Sequence, residues 1–251
     1  MALFESFPVH NGKPIFLAEH LNRLKSACDR CGFHLDVNAL ELLPDVIRQI
    51  QFDAFLRIYV TGGDGSPTCA ATACRIVLLA EPRERVAGAV VDNGYRLAIH
   101  PVPHLPVFHG IKTANYWANI NARQLAIERQ NHEALLFNDK GELMSACMAN
   151  VFVAKEGIIK TPGLICGARD GVLRRWVLDR CEAQECSVFV DDLRNADEIF
   201  LTSSGIGIMP AVMIEGRPLA RREFSTPLRN EYEACLAGLL RGGEAPAEPS
   251  S

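Results

Sequence analysis

The sequence predicts an α+β protein in two domains, and three observations carry that expectation. Apolar residues fall alternately into short period-two runs and into stripes with helical spacing along the whole chain. A proline-rich stretch from Pro101 to Pro106 interrupts this pattern near the middle. At 251 residues and 48% hydrophobic, the chain can bury a core without staples and is long enough for two modest domains. The expected division is a small α+β domain over 1–103, a larger domain over 104–240 and a disordered small-residue tail over 241–251.

Taken in order, Leu3 to Val9 reads as a short apolar strand, Asn11-Gly12 as a turn and Pro14-Ile15-Phe16 as the returning arm of a hairpin. Leu17, Leu21, Leu24 and Cys28 then have helical spacing, and Gly32 stops the helix. His20 and Arg23, three apart, share a face beside that stripe. A second helix is expected from Asn38 to Ile50, followed by strands at Phe55 to Thr61, Cys74 to Ala80 and Tyr95 to Val102. Beyond the prolines come a helix from Asn115 to Gln130 and a meander at Ala134 to Asn138, Glu142 to Ala146, Asn150 to Ala154 and Ile158 to Thr161. A helix from Gly171 to about Cys181, strands at Ser187 to Val190 and Glu198 to Thr202, and a final helix near Pro227 to Leu240 complete the expectation.

Composition narrows the function. The 26 basic residues are scattered among 30 acidic ones for a net charge of −4, so no basic stripe points to nucleic acid. No apolar run approaches the roughly 20 residues of a membrane helix, and no charged n-region precedes an apolar h-region, which points to a cytoplasmic chain acting on small molecules. Nine cysteines, an odd number spread over the length, are expected as thiols. Cys28 and Cys31 form a CxxC inside a helical pattern with no second pair to complete four ligands, so packing is the expected role. His100, His104 and His109 lie among prolines rather than on one helix face and are read as linker residues, with no metal site expected.

Lys112 draws attention because it follows Val107, Phe108 and Ile111 and precedes a helix. An amine in partly apolar surroundings loses its charge more readily, and an uncharged amine can form a Schiff base. Three other features suit an anion. Gly167 to Leu173 is a glycine-flanked loop entering a helix, whose first N–H groups and dipole can face a phosphate. Ser203, Ser204 and Gly205 end a strand with hydroxyl donors, and Arg23 offers a planar cationic fork. A lysine for an aldehyde and three sets of donors for a phosphate together suggest pyridoxal 5′-phosphate.

The order of these motifs resembles the fold-type IV pyridoxal-phosphate enzymes, the class IV aminotransferase family of branched-chain and D-amino-acid aminotransferases and aminodeoxychorismate lyase. The resemblance runs from about Phe4 to Leu219. It rests on Phe4-Glu5-Ser6, the helix with His20 and Arg23, Lys112, Asn150-Val151-Phe152, Thr161-Pro162, Gly171-Val172-Leu173-Arg174, and Phe200 to Gly205 with Pro210. It implies a D-amino-acid aminotransferase-like, two-domain α+β fold with the cofactor in the interdomain cleft, and a homodimer. It also implies that Lys112 is the Schiff-base residue, that Arg23, the N–H groups of Val172 and Leu173, and Ser204 with Ser203 bind the phosphate, and that Asn150 belongs to the cofactor bed.

The departures from the pattern bear on reaction type. The family's glutamate at the pyridine nitrogen, five residues before Asn150, is Ser145 here, and a hydroxyl can only hydrogen-bond where a carboxylate would hold the ring protonated. Transamination should suffer most from that exchange, and an elimination with a leaving group should tolerate it better. Glu142 could take the role only from the opposite face of its strand. The chain starts at the Phe-Glu strand, so contacts that relatives make with an earlier segment are expected to be absent or replaced. The loop from Thr61 to Ser66 has no arginine, which leaves Arg57, Arg96, His100 and Tyr116 as candidates for substrate recognition. The resulting reading is an aminotransferase acting on an amino acid and a 2-oxo acid, with pyruvate elimination in the manner of aminodeoxychorismate lyase as the alternative. A relative that has kept the fold and lost cofactor or catalysis is the rival.

Overall fold

The structure, a computed structural model, describes residues 1–63, 74–83, 93–105 and 110–241. Asp64 to Ser66, Pro106 to His109 and the tail from 242 therefore lie outside the described residues. The chain forms two compact units, one from Met1–Arg85, Ile111–Asn115 and Glu233–Ser251, the other from Val86–Gly110 and Tyr116–Tyr232.

In the first unit the alternating apolar residues of β1 (Ala2–His10) and β3 (Ala54–Thr61) pair antiparallel across their whole length. With β2 (Lys13–Pro14) and β4 (Arg75–Pro82) they give a sheet ordered β2-β1-β3-β4. The expected hairpin turn forms at Asn11 and Gly12; Gly12 has φ 77°, and a Cβ there would come within 2.7 Å of the Arg48 carbonyl, so only glycine fits. α1 (Leu17–Arg30) lays Leu24 and Cys28 on the sheet, where they pack with Phe7, Val9, Leu56 and Ile58. Cys28 of the CxxC is thus a core residue, and burial pushes its thiol up to about 12. The helix expected from Asn38 to Ile50 is instead two, α2 (Val37–Glu41) and α3 (Leu43–Arg48). Pro44 in the first turn of α3 lacks the N–H that would continue the earlier helix, so the ladder restarts there.

The second unit is built on a curled sheet, ordered β10-β9-β8-β11-β12-β5-β6-β7 with β13 beside β12. Its strands are β5 (Tyr95–Ile99), β6 (Glu133–Phe137), β7 (Leu143–Ala146), β8 (Asn150–Lys155), β9 (Ile158–Pro162), β10 (Ala183–Cys186), β11 (Glu198–Ser203), β12 (Gly207–Ile214) and β13 (Arg217–Pro218). Leu97, Leu135, Val151, Leu201 and Met209 meet inside the curl. α4 (Trp117–Glu128) covers one part of the sheet through Ala122 and Ala126, which pack on Ala98, Ala134 and Leu136. The helices α5 (Val172–Leu178), α6 (Val190–Arg194) and α7 (Ser225–Arg241) complete the chain. Ser187 to Val190 is not a strand. The ladder partner of β9 is Ala183–Cys186, and the Phe189 N–H bonds to Asp192 Oδ2 at 2.8 Å to open α6. No helix among the described residues is long and apolar enough to cross a membrane. The eight described cysteines are all unbridged.

One buried carboxylate ties α7 to the sheet. Glu198, 1% exposed on β11, accepts the N–H groups of Phe224 (3.0 Å) and Ser225 (2.8 Å) that open the helix. Glu198→Ala leaves both donors buried and unsatisfied at a cost of about 2 kcal/mol, which for a chain of this length lowers Tm by roughly 4–8 °C. A thermal melt followed by circular dichroism measures this, and an unchanged Tm would contradict the role.

Candidate active site

The segment around Lys112 is fixed to β1 by its backbone. Phe4 N–H donates to the Lys112 carbonyl (2.9 Å), Ala114 N–H donates to the Ala2 carbonyl (2.9 Å), and Leu3 and Thr113 form a bridge. The side chain is held as firmly: Nζ donates to Ser6 Oγ at 2.9 Å and sits 4.5 Å from the centre of the Phe4 ring. Alternation along β1 sends Phe4 and Ser6 to this face, and Phe4 stacks on Tyr59 at 5.5 Å. Arg57 lies directly opposite Ser6 in the β1–β3 register and so shares the face, where it pairs with Glu81.

The other face of β1 holds a buried charge cluster. Glu5, 1% exposed, accepts Arg23 Nε and Nη2, both at 2.7 Å, and meets His20 Nδ1 at 2.8 Å. Burial works to raise the Glu5 pKa, but the hydrogen bonds from His20 and Arg23 outweigh it and hold the carboxyl at about 2. Burial lowers the His20 pKa against the pull of Glu5, with Arg23 and Lys112 adding to the lowering, so the ring is neutral and donates from Nδ1. The sequence placed His20 and Arg23 on one helix face; the structure shows that Glu5 is what they share.

The second unit carries a separate set of polar groups. Gly171 precedes the first turn of α5 without a side-chain cap, and a Cβ there would collide with Asn150 Oδ1. Asn150 Nδ2 donates to the Arg169 carbonyl at 2.7 Å, so this asparagine shapes the loop that delivers Val172 and Leu173 to the helix start. Thr202 stands opposite Asn150 in the β8–β11 register, and its Oγ1 is buried with no hydrogen-bond partner among the described residues. Ser203 accepts the Ile206 N–H at 3.4 Å, and Ser204 follows β11. A buried hydroxyl left over beside a cap-free helix start that only glycine permits is a donor set suited to an anion.

Ser145 lies on β7 opposite Leu136, and its hydroxyl makes no hydrogen bond among the described residues. The turn that follows it is clamped from two sides. The Cys147 carbonyl accepts Tyr116 Oη (3.1 Å) and Asn119 Nδ2 (3.0 Å), while the buried Glu133 takes the Met148 N–H at 3.3 Å. Burial raises the Glu133 pKa. Tyr116 Oη accepts Arg169 Nη1 at 2.9 Å. Glu142 is engaged elsewhere, by Ser187 Oγ at 2.6 Å and Asn138 Nδ2 at 2.8 Å. Arg96 and His100, also substrate candidates, make contacts with His132 and His104 and none with Tyr116, Ser145 or Arg169 among the described residues. Ser6, Thr202 and Arg169 are the residues the sequence reading left unassigned. Period-two alternation from Phe4 was the available signal for Ser6, and nothing in the sequence singled out the other two.

The lowered Glu5 pKa has a stability consequence with a definite sign. Between about 2 and the ordinary value of 4.5, the unfolded chain binds a proton that the folded chain does not. The contribution, about 3 kcal/mol at roughly 1.4 kcal/mol per pKa unit, is complete above that window and is lost as pH falls through it. Denaturant melts should show the stability gap between wild type and Glu5→Gln closing as pH drops from 5 towards 2; parallel curves would refute the cluster as described.

Comparison with known proteins identifies the family. Residues 2–214 match the family described as Amino-transferase class IV. A D-alanine aminotransferase of Bacillus licheniformis is 26% identical over 236 residues, covering 86% of this chain and 80% of that one. The crystal structure of 4-amino-4-deoxychorismate lyase from Pseudomonas aeruginosa superposes with a TM-score of 0.86 at 26% identity, covering 94% of this chain and 91% of that one. The branched-chain amino acid aminotransferase of T.th., crystallised with pyridoxamine 5′-phosphate, shares the fold with a TM-score of 0.83 at 21% identity, covering 95% of this chain and 86% of that one. The mixed α+β fold is that of fold-type IV, and the chain belongs to the class IV aminotransferases, a family of pyridoxal-phosphate-dependent aminotransferases and lyases.

Proposed function

We propose that this chain is an aminotransferase moving an amino group between an amino acid and a 2-oxo acid, with Lys112 as its catalytic residue. The observation that carries the reading is the Lys112 amine, oriented by Ser6 Oγ and the Phe4 ring on a backbone pinned to β1. When bound, pyridoxal 5′-phosphate supplies an aldehyde for amine exchange and a ring that withdraws electrons from the substrate Cα. Val172 and Leu173 N–H groups, Ser203, Ser204 and the unpartnered Thr202 hydroxyl offer donors for its phosphate, with Asn150 shaping the bed. Arg23 is the further phosphate candidate, with its guanidinium plane fixed by Glu5 through Nε and Nη2. Lys112 Nζ then holds and moves the proton at the substrate Cα. Arg57, on the same face as Ser6 but paired with Glu81, is the substrate candidate in the first unit.

Ser145 favours a second reading. A hydroxyl beside the ring nitrogen can only hydrogen-bond, so charge at Cα is relieved best by a leaving group, as in elimination of pyruvate. The likeness to a 4-amino-4-deoxychorismate lyase structure supports that alternative. The same serine motivates the third reading, a relative that keeps the fold with catalysis impaired. A cytoplasmic homodimer completes the proposal. Trp117, 74% exposed, and Ile120 offer apolar surface on α4 for a second copy.

Three results test this. Lys112→Ala should abolish the visible absorbance of the cofactor-loaded protein and lower turnover on the order of 10³-fold; retained absorbance and turnover would end the proposal. Pyruvate release without a 2-oxo-acid acceptor, measured by a coupled dehydrogenase, would establish the lyase reading over transfer. Ser145→Glu should raise transamination; an unchanged or lower rate would show that Ser145 does not govern the ring nitrogen.

A further inference from the structure

Arg169 carries a charge that no described residue answers. It lies half-buried in the loop ahead of α5, with its carbonyl held by Asn150 Nδ2 (2.7 Å) and by the Gly171 N–H (2.9 Å). Its guanidinium spends one N–H on Tyr116 Oη, and Cζ stands 5.4 Å from the centre of the same ring. The phenol is itself oriented by donating to the Cys147 carbonyl at 3.1 Å. Nε is buried without a hydrogen-bond partner, and no carboxylate among the described residues pairs with Arg169. The adjacent Asp170 is paired with Arg175 instead. A buried unpaired donor on a fixed cation is costly, so a guanidinium held in this state is a site poised for an anion that no described residue supplies.

The geometry points to Arg169 as the residue that recognises the substrate's carboxylate, with Tyr116 as the positioning residue that sets its plane. This assignment rests on the reading of Lys112 as the reactive amine. Two features favour a carboxylate of the substrate over the cofactor's phosphate. The guanidinium turns towards Tyr116 and the Cys147 turn, and makes no bond to Thr202, Ser203 or the start of α5, where the phosphate donors are gathered. A planar fork also matches a carboxylate, with which it can share two parallel N–H···O bonds. The sequence offers Arg57, Arg96, His100 and Tyr116 for this function, and of these only Tyr116 touches Arg169, whose unanswered charge is in the glycine-flanked loop.

The test uses straight-chain carboxylates from propanoate to hexanoate, which lack an amine and cannot react, and the matching uncharged amides. Each is titrated calorimetrically into cofactor-loaded and cofactor-free protein. Wild type should bind the acids in preference to the amides. Arg169→Met should weaken the acids at least tenfold, leave the amides unchanged and keep cofactor affinity, and Arg169→Lys should recover part of the loss. Failure of wild type to bind the acids, equal weakening of acids and amides, or loss of cofactor with acid binding intact would each overturn the assignment. If Lys112 proves not to be the reactive amine while the acid-specific loss persists, the functional reading fails and the carboxylate site stands.

Discussion

The structure of the candidate site depends on one strand, β1, that is buried on both faces. Its odd residues Leu3, Phe7 and Val9 build the core under α1, and Glu5 among them carries the only charge on that side of the strand. Its even residues Phe4 and Ser6 meet the Lys112 side chain, and its backbone accepts and donates the bonds that pin the Lys112 segment. A shift of one residue in the pairing with β3 would exchange the two sets and put the carboxylate under the amine. The full-length antiparallel register from Ala2–Thr61 to Val9–Ala54 excludes that exchange. The Glu5, His20 and Arg23 cluster locks the same register chemically, because no other residue of the strand can satisfy both partners.

Much of this was legible from the sequence. The α1 stripe, the hairpin glycine and the meander strands follow from spacing and turn chemistry, which are local, whereas Lys112 stood out by its apolar neighbours and by the family resemblance. The features that escaped reading depend on tertiary pairing. Pro44 divides one expected helix into α2 and α3 because the chain turns there, and a proline in a first turn costs nothing. The strand β12 contains Pro210, which argues against a ladder position, yet it pairs opposite Phe200 next to a register shift between Ala211 and Met213. The partners of Glu5, 15 and 18 residues away, could be placed on one helix face but not assigned to that carboxylate.

The second unit separates polar groups that are used from those that are held in reserve. Glu133, Glu142 and Glu198 are each saturated by backbone or side-chain donors and serve the fold. Ser145, Thr202 and Arg169 keep hydrogen-bonding capacity that no other described residue takes up. Of these, the Thr202 hydroxyl and the Arg169 Nε are buried, and a buried polar atom without a partner is costly to maintain.

The central claim is that a single amine, fixed by Ser6 and Phe4, forms the covalent link to the cofactor. Borohydride reduction of the pyridoxal-phosphate-loaded protein, followed by proteolysis and mass mapping, tests it most directly. The account predicts one pyridoxyl adduct, on the peptide containing Lys112. An adduct on another lysine, or none on a protein that holds the cofactor, would contradict it.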